Sequence, residues 1–79
     1  MATLHVRVKR GPFSGMASDG ARLNILPGQY LVREDGLNLV FEGADGRNGG
    51  NIVVDMRDYP EIGEFPEAIQ PNTQIELIR

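Results

Sequence analysis

Five carboxylates crowd the stretch DMRDYPEIGEFPE: Asp55, Asp58, Glu61, Glu64 and Glu67. Neighbouring carboxylates can do general acid and base chemistry when one is held dry and protonated and another wet and ionised. Nothing in the stretch marks such a contrast. Gly63 and Pro66 keep Glu61, Glu64 and Glu67 from forming one helical face. The plain expectation is a loop whose Ile62 and Phe65 tuck under the domain while the acids stay in water. The functional expectation is an acidic, aromatic patch that docks on a basic protein site, with Tyr59 and Phe65 as anchors and the acids steering the encounter.

His5 is the one histidine, and the chain has no cysteine. A metal site would need carboxylates to complete its ligand set, and catalysis would need a nucleophile or acid aligned with the imidazole. The position of His5 between Thr3 and Arg7 on an alternating segment points to simple exposure. Ser14 and Ser18 have no base within sequence reach, so no hydrolase triad is expected. No metal, no cofactor and no catalytic residue are expected, and the chain is read as noncatalytic.

The segment Gly43 to Asn51, GADGRNGGN, has the look of a gripping loop. A phosphate loop requires Gly-Lys-Ser/Thr and then a helix, whereas Asn51-Ile-Val-Val continues here as a strand. A calcium loop counted from Asp45 would need oxygen ligands at Arg47 and Gly49, which supply none. The segment is therefore expected to be a flexible hairpin bend whose Asp-Gly and Asn-Gly pairs tolerate positive φ. Its functional remainder is Arg47, presented to an acidic or phosphate-bearing partner.

The elements around these residues are strands. In Thr3 to Lys9, Leu4, Val6 and Val8 alternate with Thr3, His5, Arg7 and Lys9, which makes a half-buried strand. Gln29 to Glu34 turns Tyr30 and Val32 inward, Asp35-Gly36 forms a tight turn, and Leu37, Leu39 and Phe41 resume the inward set. Ile52, Val54 and Met56 define a fourth strand, and Ile75 and Leu77 a fifth, with Ile78 facing out. Ten glycines and five prolines leave room for at most one helical turn, at Pro66 to Ile69. Two connections are long, Gly11 to Gly28 and Asp58 to Asn72. In the first, Leu23, Ile25 and Leu26 are expected to fold onto the core, and Pro27-Gly28 to turn the chain into Tyr30.

The fold class expected from this order is all-β: a small five-stranded antiparallel barrel or open sandwich, one domain over residues 1–79. The layout, with its long first loop and short turn before the last strand, resembles that of an SH3-like barrel. The chain lacks tryptophan and an Ala-Leu-Tyr-Asp-Tyr segment, so the proline-peptide binding of signalling SH3 domains is not implied.

With 79 residues and no disulfide, the chain must reach stability by packing one thin core or by sharing a partner's surface. The N-terminus alternates, unlike a signal peptide or membrane span, and a cytoplasmic location is expected. The formal net charge is -3, but five Lys or Arg face one acid through Arg33, and three Arg face ten acids afterwards. That split is expected to draw the two halves together across a sheet.

The expected function is a noncatalytic protein-binding module, of the kind a small phage-encoded inhibitor or a small assembly subunit would be. Its partner-binding residues are Tyr59, Glu61, Glu64, Phe65 and Glu67, with Phe13 from the first loop and Arg47. The alternative is a small nucleic-acid-binding barrel using His5, Arg7, Lys9 and Arg10, helped by Arg22 and Arg33. A homodimer through an edge strand is a further expectation, with Ile78 at the seam.

Overall fold

The computed structural model describes residues 3–9, 13–59 and 75–78, with Leu77 described by its backbone alone. The strands are β1 (Thr3–Val8), β2 (Ser14–Ala17), β3 (Arg22–Asn24), β4 (Gly28–Asp35), β5 (Asn38–Glu42), β6 (Ile52–Asp55) and β7 (Ile75–Leu77). One 3-10 turn, Met56–Asp58, follows β6. All pairings are antiparallel, in the order β3-β2-β6-β5-β4-β1-β7.

The all-β class is as expected, but among the described residues the sheet has seven strands where five are expected, and it does not close into the barrel that the expectation set beside an open sandwich. The two additional strands come from the first long connection. There, β2 and β3 form a hairpin whose turn is fixed by the Asp19 carboxylate accepting the Ala21 N–H at 3.0 Å. The inward positions of β2 are Gly15 and Ala17, which add no apolar signal to the sequence. Gly15 is required by close approach, because a Cβ there would run into the Val53 carbonyl oxygen and Ile52 Cγ2.

The core lies on one face of the sheet. Val6 and Val8 of β1, Val32 of β4, Leu39 and Phe41 of β5, Ile52 and Val54 of β6, and Ile75 of β7 are buried together with Phe13, Ile25 and Met56. Period-two alternation accounts for these positions. Tyr30 meets Phe41 edge-on, with ring centroids 6.0 Å apart, and its hydroxyl donates to the Leu26 carbonyl at 2.6 Å. Two expected inward leucines differ. Leu26 is 66% exposed and Leu37 is 58% exposed, because Leu26 follows the end of β3 and Leu37 sits in the β4–β5 turn, where the strand period does not apply.

The charge split resolves as cross-strand pairing. Arg7 of β1 meets Glu76 of β7 at 2.6 Å, and Arg33 of β4 faces Glu42 of β5 at 3.8 Å. Basic residues of the first half thus meet acids of the second.

Candidate functional site

The solvent-facing side of the sheet carries an apolar strip. The register sets Met16 of β2 beside Val53 of β6, Val53 beside Val40 of β5, and Val40 beside Arg33 of β4. These residues line an open groove of about 660 Å³. Met16 is 52% exposed, whereas Val40 is only 5% exposed, so the floor is sunken and the β2 wall is accessible. The outer face of an antiparallel sheet is ordinarily polar, which sets this strip apart.

Charges of both signs surround the strip. Arg22 and Arg33 line it, as do Asp35, Asp55 and Asp58. Arg22 Nη1 donates to Ser14 Oγ at 3.2 Å. Asp55 is cross-strand from Asn38, which in turn pairs with Asp35. The Asp55 carboxylate caps the 3-10 turn by accepting the Arg57 N–H at 2.9 Å, and it also accepts from the Arg57 guanidinium at 2.8 Å. Those hydrogen bonds pull its pKa down to about 2. Asp55 is thus held ionised by Arg57, whereas no side-chain hydrogen bond or ion pair engages Asp35 among the described residues.

The two described aromatic residues among the expected partner-binding set, Phe13 and Tyr59, lie deeper than the sequence implies. Phe13 is fully buried, so its ring presents no surface to a partner. Tyr59 packs edge-on against it at a centroid distance of 5.1 Å. The Tyr59 hydroxyl accepts the Ser14 N–H at 2.8 Å and lies 3.2 Å from Ser14 Oγ. Tyr59 therefore ties the turn after β6 to the start of β2. Glu61, Glu64, Phe65 and Glu67 lie outside the described residues, as does the helical turn expected at Pro66 to Ile69.

Arg47 is held, not offered. Its Nη2 reaches Asp45 Oδ2 at 3.0 Å and Asp19 Oδ1 at 3.1 Å, while its Nε and backbone N–H both donate to Asp45 Oδ1. The Asp45 carboxylate has no exposed surface. The Arg47 side chain, followed by its backbone N–H, keeps the Asp45 carboxyl below the ordinary carboxylate range against the opposing effect of burial. Asp19 is lowered chiefly by the Ala21 N–H and then by Arg47. The β5–β6 loop is thus a hairpin bend, with positive φ at Gly49 of the Asn-Gly pair and at Gly43 but not at Gly46 of the Asp-Gly pair, and it is latched to the β2–β3 turn. Spacing alone could not reveal the latch, because Asp19 and Arg47 are distant in sequence.

His5 and Arg7 on β1, with Lys9 just after it, form an exposed alternating row, and Arg10 lies outside the described residues. Arg7 is bound to Glu76, and His5 is cross-strand from Leu31. The four described aromatic rings, Phe13, Tyr30, Phe41 and Tyr59, all pack within or against the core. Among the described residues, therefore, the basic row has no aromatic beside it. Ile78 is half-buried, and its N–H donates to the His5 carbonyl at 2.8 Å.

No group of three or more His, Cys, Asp or Glu side chains is placed to hold a metal ion among the described residues. Within the same residues, no helix is long and apolar enough to cross a membrane. No protein-family model, curated protein or solved structure significantly matches this chain.

Proposed function

We propose that this chain is a noncatalytic binding module that engages a protein partner through the outer groove of its sheet. The observation that carries the proposal is the strip Met16, Val53 and Val40, apolar on a face that water should claim and rimmed by Arg22, Arg33, Asp35 and Asp58. An apolar centre with a polar, charged rim is the anatomy of a protein-binding patch. Arginines and aspartates together in the rim favour a partner segment that itself carries both charges. The surface needs no moving part, since its floor is set by β-sheet register.

Affinity capture with and without nuclease, in the wild type and in a Met16→Glu, Val53→Glu double variant, tests the proposal. The expected result is a stoichiometric protein partner that survives nuclease and is lost with the double variant. Recovery of material that disappears with nuclease would transfer the function to the basic row His5, Arg7 and Lys9 and overturn the groove. Salt titration against oligonucleotides would then show the steep weakening that phosphate contacts require.

A further inference from the structure

Asn48 is followed by Gly49 in the latched loop. A glycine in that position leaves its own backbone nitrogen free to approach the preceding amide carbon, because it has no side chain to obstruct the approach. Both residues are exposed. The other asparagines precede bulkier residues: Asn24 precedes Ile25, Asn38 precedes Leu39, Asn51 precedes Ile52 and Asn72 precedes Thr73. Among the asparagines, the chemistry is therefore concentrated at one peptide bond.

The structure also holds both reacting groups. The Gly49 N–H donates to the Asp45 carbonyl at 2.8 Å, which withholds the proton that must leave before the nitrogen can attack. The Asn48 Oδ1 accepts the Gly50 N–H at 2.8 Å, which fixes the side-chain amide. Asp45 N–H donates in turn to the Gly50 carbonyl at 3.0 Å, closing the turn. Asp45 is the residue that Arg47 grips through three donors.

We propose that Asn48 is a self-modification site, converting to aspartate or isoaspartate, and that the Arg47–Asp45 latch sets its rate. The Gly49 nitrogen loses its proton to solvent base and bonds to the Asn48 side-chain carbon. The bond from that carbon to Nδ2 breaks, and ammonia leaves with a proton from water. The resulting cyclic imide takes up one water at either carbonyl, giving aspartate by one route and isoaspartate by the other. Either product places a new negative charge next in sequence to Arg47, the cation that Asp45 and Asp19 share. Isoaspartate also lengthens the backbone by one carbon within the turn. Modification therefore loosens the latch that restrains it, and the loop ages in one direction.

The test compares four samples in mildly alkaline buffer: folded wild type, Arg47→Lys, Arg47→Ala, and a synthetic peptide of residues 43–51. Peptide mapping by mass spectrometry follows conversion at Asn48, with isoaspartate quantified separately. The wild type should convert at least about tenfold more slowly than the peptide, as expected when a local opening of roughly 1.4 kcal/mol limits access. Arg47→Lys keeps the charge but not the two-pronged hold, and it should fall between the two rates. Circular dichroism establishes whether Arg47→Ala remains folded; if it does not, Arg47→Lys decides. A wild-type rate equal to that of the peptide, an Arg47→Lys rate equal to wild type, or earlier modification at another asparagine would overturn the proposal.

Discussion

The two faces of this sheet bury the residues of the same strands to different extents. Val32, Leu39, Phe41, Ile52 and Val54 fill the inner face and leave almost nothing for water. One residue along the same strands, Val40 and Val53 join Met16 in an open groove. Alternation alone would have made the second face polar. Departure from that rule on one face, while the other obeys it, is the feature on which the proposed binding role rests. Substitutions should therefore divide cleanly: inner changes cost stability, and outer changes cost capture.

The largest effect belongs to the core. Phe41→Ala empties a fully buried site that also supports Tyr30, and it should cost about 3–5 kcal/mol in urea denaturation. Next comes Gly15→Ala, which forces a methyl against the Val53 carbonyl and should cost about 1–3 kcal/mol. If Gly15→Ala melted like the wild type, β2 would not approach β6 as closely as described. Tyr59→Phe keeps the ring on Phe13 but leaves the Ser14 N–H without its acceptor, a loss of about 1 kcal/mol.

Acid should act through the aspartates. Asp55 is held at about 2, below its ordinary 3.8, by Arg57. Its contribution is therefore full above the unfolded value and is lost as pH falls from about 4 towards 2. Asp45 and Asp19 are lowered in the same direction. Thermal melting points should fall across that window, and less so in Asp55→Asn. The smallest stability change is expected for Met16→Glu, within about 0.5 kcal/mol, since the side chain is already half in solvent. The same substitution should abolish partner capture, the sharpest contrast between the faces.

Much of the inner face is legible in the sequence, and little of the outer one is. Val6 and Val8, Tyr30 and Val32, Leu39 and Phe41, and Ile52, Val54 and Met56 announce themselves by alternation, and each packs in or against the core as expected. β2 is hidden because its inward residues are glycine and alanine, so its burial comes from backbone approach and not from apolar side chains. β3 is hidden by its brevity. With both unseen, the sequence suggests five strands in a barrel or an open sandwich, not seven in one open sheet. The groove is illegible for a related reason: Met16, Val40 and Val53 come from three separate strands, and only the register brings them into one row. Arg47 reads as a free cation in sequence because Asp19, one of its two partners, lies in another hairpin.

A photo-crosslinking residue in place of Met16, compared with the same residue in place of Lys9, tests the division most directly. Both side chains are exposed, so neither replacement should alter the fold. Met16 lines the groove, while Lys9 continues the basic row. The account predicts a nuclease-resistant protein adduct from position 16 and none from position 9. An adduct from position 9 alone would contradict it.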